Sequence, residues 1–296
     1  MLKRTIYFSN PHRLSLKHKQ LVAEERETGE VRTVPVEDIG FVVLDNMQIS
    51  VSLPLIEALV GNNAAVVFCD SKHHPQSMLL NLDSHNTQTE IFRYQINAAL
   101  PLKKNLWKQT IETKIRNQAN LLKFLNKEYS DVFDYSKDVK SGDTDNKEGT
   151  AARIYWSKLF GKDFTRHRYG IMPNGLLNYG YMILRAAVAR ALVGSGLLPT
   201  LGIHHHNKYN AYCLADDIME PYRVYVDKRV YEIYNKNPDI LILEKEHKAE
   251  LLQLPADDVY IDNNRRPLMI ALSQTTASLA RCYAGEVKRI KYPELK

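Results

Sequence analysis

Hydrophobic positions change their spacing about a third of the way along the chain. Over residues 1–85 they come in short runs. Thr5-Ile6-Tyr7-Phe8, Leu14-Ser15-Leu16-Lys17, Gln20-Leu21-Val22-Ala23, Phe41-Val42-Val43-Leu44 and Ala64 to Cys69 read as strands, with Arg26 to Glu30 as a hairpin turn. One helix, Leu53 to Val60, closed by Gly61-Asn62-Asn63, interrupts them. Pro75 to Asn86 is polar and turn-like and marks a boundary. From Thr87 onward apolar residues recur every three or four positions, which predicts helices over 87–99, 102–128, 147–160, 174–193, 210–235 and 266–286. The strongest contains Leu177, Gly180, Ile183, Leu184, Ala187, Val188, Ala191 and Leu192, stopped by Gly194-Ser195-Gly196. Residues 137–147 read as a polar loop and Lys288 to Lys296 as a short basic tail. The expected class is α+β: a small N-terminal β-sheet domain, 1–85, then a larger all-α domain, 86–296, carrying the active site.

Composition narrows this. At 296 residues, 44% hydrophobic and 25% charged, the chain is globular rather than disordered. Three cysteines, Cys69, Cys213 and Cys282, lie far apart with no C-x-x-C pair, so neither a disulfide framework nor a zinc ribbon is supported, and a reducing cytoplasm is expected. Met1 to Thr5 opens without the apolar run of a signal peptide. The greasiest stretch, Leu184 to Ile203, carries Arg185, Arg190 and Pro199, which argues against a membrane span.

The net charge of +6 is unevenly shared. Residues 1–85 hold 8 Lys and Arg against 10 Asp and Glu, which leaves 32 against 24 for the helical part. Arg93, Lys103, Lys104, Lys108, Lys114, Arg116, Lys123 and Lys127 face only Glu90 and Glu112 across 86–127. That segment is either a solvated helix surface or a phosphate-contacting one for nucleic acid.

Three segments carry candidate chemistry. In Asp145 to Trp156, Asp145 and Glu148 resemble a helix-entry cap, yet Glu148 shares a face with Ala151, Ala152, Tyr155 and Trp156, where a carboxylate needs a cationic partner. In Leu201 to Asn207, His204-His205-His206 follow Gly202, which permits a close backbone approach; imidazoles there suit ligation or proton transfer. In Leu214 to Arg223, Asp217 and Glu220 share a helical face, and Pro221 should loosen the helix at this acidic pair. One imidazole with two or three carboxylates suits Mn²⁺ or Mg²⁺, and a basic surface beside them points to phosphodiester chemistry. The alternatives are a non-catalytic DNA-binding scaffold with a structural ion, and a hydrolase of small phosphates, disfavoured because no Gly-rich phosphate loop is present.

Four motifs in order, Glu148-Gly149-Thr150-Ala151-Ala152-Arg153, Pro173 to Tyr181, Gly202-Ile203-His204-His205 and Leu214 to Arg223, resemble the CRISPR-associated spacer-integration nucleases, the first-numbered Cas proteins, and their type II members in particular. The resemblance spans essentially the whole chain. Gly175 departs from it, standing where many relatives have alanine. It implies metal ligation and catalysis by Glu148, His205 and Glu220, with His204 as the alternative histidine and with Asp217 and Asn178 in support. It also implies a homodimer joined through the β domains, two such dimers flanking a dimer of the small second-numbered Cas protein, and a metal-dependent DNA endonuclease and integrase. The implied reaction is attack by the 3′-hydroxyl of a short duplex on a phosphodiester at the edge of a CRISPR repeat.

Overall fold

Alternation along two central strands divides the hydrophobic interior in two. In the computed structural model, which describes residues 3–71, 73, 75–81, 83–167 and 170–296, β1 (Arg4–Phe8), β5 (Ile39–Leu44), β7 (Ala65–Cys69) and β8 (Pro75–Leu79) form a sheet in the order β1-β5-β7-β8. The first three run parallel and β8 is antiparallel to β7. Successive strand residues point to opposite faces. Phe41, Val43, Ala65 and Val67 therefore join the helical core, while Val42, Leu44 and Val66 face Leu14, Leu21, Leu55 and Leu59. The latter come from a second sheet and a helix. That sheet, ordered β4-β3-β2-β6, contains β2 (His12–Lys17), β3 (Gln20–Glu25), β4 (Val31–Pro35) and β6 (Ser50–Val51), and the helix is α1 (Leu53–Gly61). The turn at 26–30 closes through Gly29 N–H on Glu25 O, with Gly29 at φ 71°.

The mixed α+β architecture is as expected, with strands first and helices after. Met1 and Leu2, at the head of the first expected strand region, and Leu82, inside the expected 75–86 turn, lie outside the described residues. Three strands of the N-terminal part that hydrophobic spacing did not reveal, β4, β6 and β8, are sheet edges; β4 and β8 carry mostly exposed side chains, and β8 occupies part of the segment expected to be turn.

The helical part comprises α2 (Gln88–Ile96), α3 (Leu100–Phe124), α4 (Ser130–Lys137), α5 (Lys147–Phe160), α6 (Asn174–Gly194), α7 (Cys213–Met219), α8 (Arg223–Lys236), α9 (Lys245–Leu251) and α10 (Leu268–Tyr283). The expectation of an all-α region is corrected by a hairpin, β9 (Asp258–Ile261) with β10 (Asn264–Pro267), turned by Asp262 and Asn263, both at positive φ. The expected helix over 210–235 is two helices, separated by a 3₁₀ turn at Glu220–Tyr222 that contains Pro221. The basic tail is not free. Ile290, Tyr292 and Leu295 are buried, and Asn117 of α3 donates to Pro293 O and accepts from Leu295 N–H.

At the centre lies α6, long and apolar enough to cross a membrane by length and composition, yet packed on nearly all sides by other elements. It approaches α8 closely: a Cβ at Gly180 would lie 2.5 Å from Val226 Cγ1. The first sheet is fastened to the helices by a buried ion pair between Lys248 of α9 and Asp45, 3.1 Å apart, with the Tyr7 hydroxyl donating to the same carboxylate.

Candidate active site

Glu148 points inward because other groups cap its helix. Asn146, at φ 51°, accepts the Gly149 N–H, and Asp143 accepts the N–H groups of Lys147 and Glu148 at 2.9 and 3.1 Å. Asp145, the expected cap, instead pairs with Lys140. Side-chain oxygens on orphan N–H groups are the ordinary way a helix starts. With those donors satisfied, the Glu148 carboxylate is free to reach across to α3, where Lys114 Nζ lies 2.5 Å from its Oε1.

Glu220 reaches the same ammonium from the opposite side. Its residue opens the 3₁₀ turn, its side chain is buried, and its Oε2 stands 2.6 Å from Lys114 Nζ while its Oε1 accepts from Arg223 Nε at 2.9 Å. Burial alone drives this carboxyl towards neutrality, but Arg223 and Lys114 outweigh it and hold it well below the usual carboxylate range. Burial likewise disfavours the Lys114 ammonium, and Glu220 and Glu148 together raise it above its ordinary value. Lys114 is thus corrected from a surface phosphate contact to a buried member of the site.

Asp217 builds the third corner. Fully buried, it accepts the N–H groups of Ile203 (2.6 Å), His204 (2.9 Å) and His205 (3.3 Å), and its Oδ1 lies 2.5 Å from His205 Nδ1. The loop folds this tightly because residue 202 is glycine: a Cβ there would meet His205 O at 2.2 Å and Asp217 Oδ2 at 2.8 Å. The Asp217 hydrogen bond raises the His205 pKa, against burial, with Glu220 and Glu148 contributing at longer range. A proton held on Nδ1 leaves Nε2 as the ring's free lone pair. His204 is committed differently, stacked on Trp107 at 4.3 Å between ring centroids.

A scan against family models matches residues 6–239 to the CRISPR associated protein Cas1 model. This chain belongs to the Cas1 family. It is 33% identical, over its full length and 97% of the relative's, to the CRISPR-associated endonuclease Cas1 of Neisseria meningitidis serogroup C (strain 8013). Two solved structures share the fold. A casposase bound to integration product superposes with a TM-score of 0.80 at 21% identity, covering 98% of this chain and 92% of that one. A Cas6-RT-Cas1–Cas2 complex gives 0.75 at 18%, covering 99% of this chain and 36% of that one.

On this Cas1-family scaffold the two glutamates and the Asp217-bound histidine come from α5, the 3₁₀ turn and the loop after α6. Their donor set is two carboxylates and one imidazole, the mixed N/O chemistry that suits Mg²⁺ or Mn²⁺. Glu220 Oε2 supports the fit: it is buried and receives no hydrogen bond among the described residues, only the poorly aligned approach of Lys114. Among the described residues no three His, Cys, Asp or Glu side chains stand in ligating geometry, and the two carboxylates share the Lys114 ammonium.

Other expected residues fall elsewhere. Asn178 accepts from Arg166 Nη2 at 2.6 Å, and Arg166 and Arg223 both lie over the Tyr181 ring, a relay of side chains that leads towards Glu220. Arg93 and Lys104 are exposed, Lys103, Lys108 and Arg116 partly so. Lys108 and Arg116 line a groove of about 720 Å³ with Lys288, Arg289 and Lys291, and none of Glu148, His205 or Glu220 lines it. Residue types alone missed Lys114 and Arg223 as partners of the glutamates. The signal for Lys114 was its register: Trp107, Ile111, Lys114 and Gln118 recur at helical spacing, and all four are buried.

Proposed function

We propose that this protein is a metal-dependent DNA endonuclease and integrase of CRISPR adaptation, of the type II kind, inserting short duplex fragments as new spacers. One observation carries the reading: Glu148 and Glu220, 72 positions apart, converge on a single buried cation beside a histidine whose Nδ1 is fixed by a carboxylate. Glu148, Glu220 and His205 Nε2 would hold Mg²⁺ or Mn²⁺, which supplies polarisation of the phosphoryl group and stabilisation of the attacking or leaving oxygen. In the reaction the fragment's 3′-oxygen loses its proton and forms a bond to the repeat's phosphorus, and the bond from that phosphorus to the neighbouring 3′-oxygen breaks, the leaving oxygen taking up a proton. Asp217 fixes the ring and its tautomer, as a carboxylate behind a ligating histidine ordinarily does. Arg223 orients Glu220.

DNA and a dimer of the small second-numbered Cas protein are supported as partners by the integration product and the Cas1–Cas2 complex that two structural neighbours are named for; a second copy joined through the β domains rests on the family resemblance alone. The setting is the cytoplasm, and no membrane is involved. Incubation with a 3′-hydroxyl duplex, a repeat-containing plasmid and Mn²⁺, with and without the small partner, tests the proposal. Joined product that disappears with chelator and in Glu148→Ala, His205→Ala and Glu220→Gln is expected. DNA binding without joining or cleavage under any of these conditions would instead establish a scaffold.

A further inference from the structure

The ammonium of Lys114 occupies the position that a bridging divalent ion needs. Its Nζ is 2.5 Å from Glu148 Oε1 and 2.6 Å from Glu220 Oε2, on a side chain that is 9% exposed. An ion ligated by the same two oxygens sits about 2.1 Å from each and so competes with that nitrogen for both of them. Charge gives the same result. Glu148 and Glu220 are balanced by Lys114 and Arg223, and a ligating His205 is neutral, which leaves Asp217 with one uncompensated negative charge. Adding a divalent ion with Lys114 in place would leave one uncompensated positive charge in a largely buried site, and the departure of Lys114 removes it.

We propose that Lys114 is a gatekeeper of the metal site, an ammonium that holds Glu148 and Glu220 together and is displaced when a divalent ion bridges them, so that it sets the affinity for the ion. The inference rests on the metal-binding reading of Glu148, His205 and Glu220. Its consequence is a competition: the ion binds only the fraction of molecules whose lysine has swung out, and its affinity is reduced by that fraction. Removing the charge removes the competitor and leaves the ligands.

The test titrates the full chain with MnCl₂ alone, by calorimetry, in the wild type, Lys114→Met, Lys114→Gln and Glu220→Gln. Both lysine variants are expected to bind Mn²⁺ about tenfold or more tightly than the wild type. They should also melt at lower temperature without Mn²⁺, because two carboxylates have lost their shared cation, and gain more from saturating Mn²⁺ than the wild type does. A second measurement needs no variant: acylation of Lys114, followed by mass spectrometry, should accelerate several-fold when Mn²⁺ is added to the wild type. Wild-type binding that Glu220→Gln abolishes, but that neither lysine variant strengthens and that leaves Lys114 acylation unchanged, overturns the displacement and leaves the metal site standing. Absence of Mn²⁺ binding in every protein overturns both.

Discussion

Replacing Asp217 by asparagine separates its structural from its chemical role. The carboxylate gathers four donors: Oδ2 takes the N–H groups of Ile203 and His204, and Oδ1 takes the N–H and the Nδ1 of His205. Asparagine offers one oxygen. Placed where Oδ2 was, it keeps the first two bonds, and its NH₂ then opposes the His205 N–H and can pair with Nδ1 only if the ring accepts. One partly buried backbone donor is orphaned and a charge-assisted bond is lost, which together destabilise by about 2–3 kcal/mol. The ring's proton moves to Nε2, and the lone pair needed for ligation is gone. Outer carboxylates of this kind typically cost 10–100-fold, and with the tautomer reversed the loss of strand transfer should reach about 100-fold. Guanidinium denaturation gives the stability, Mn²⁺-dependent joining gives the activity, and the ¹⁵N shifts of His205 report the tautomer. An Asp217→Asn protein within about 0.5 kcal/mol of wild type, joining DNA at the wild-type rate with Nδ1 still protonated, would refute the reasoning.

Three further outcomes follow from the same geometry. Gly202→Ala should cost about 2–4 kcal/mol and most of the joining activity, since the loop backbone itself obstructs the new methyl; denaturation curves that overlay the wild type would contradict this. Asp227, buried under the hydroxyls of Tyr155 and Tyr181, has its pKa raised by burial from 3.8 to about 6, which those hydrogen bonds and Arg223 only partly offset. Between these values the folded protein keeps a proton that the unfolded chain has released, so this group's contribution to stability falls as pH rises through pH 4–6, by about 3 kcal/mol in total. The stability difference between wild type and Asp227→Asn should therefore shift over that window, and a constant difference would exclude the assignment. Reversing Lys108 and Arg116 in the groove they share with Lys288, Arg289 and Lys291 should weaken DNA binding and flatten its logarithmic salt dependence by about one unit for each phosphate left without its cation; an unchanged slope makes the groove a solvated surface.

Elements with strong local signals were legible in the chain, and those made by tertiary context were not. Helix α5 starts and ends where its spacing predicts, and α6 extends one residue beyond the prediction, because apolar stripes and glycine stops mark both. The edge strands β4 and β8 present mostly exposed side chains, so no buried face imposes a period of two on their sequence. Asp262-Asn263 offers a hairpin-turn signal between two short strands, which the all-α expectation for this region passed over. At the site, the motifs named the glutamates and the histidine, and Gly202 announced a close approach. What no spacing could convey is the meeting of Glu148 with Glu220, since it depends on α3 lying between them and on one lysine that composition groups with the surface cations.

Pro221 explains how a single turn serves both neighbours. Without an N–H it cannot continue the α-helical bond to the Asp217 carbonyl, and the chain tightens instead, with Glu220 N–H donating to that same carbonyl. Two α3 residues a turn apart then read the tightened segment: Lys114 meets the Glu220 carboxylate, and Asn117 donates to Pro221 O while also holding the carboxyl-terminal segment at Pro293 O. The long α3 helix therefore fixes the 3₁₀ turn by its backbone and its charge together. With the turn anchored, Asp217 reaches the histidine loop on one side and Glu220 reaches Glu148's partner on the other, so the break in the helix is the feature that makes one acidic pair serve two elements.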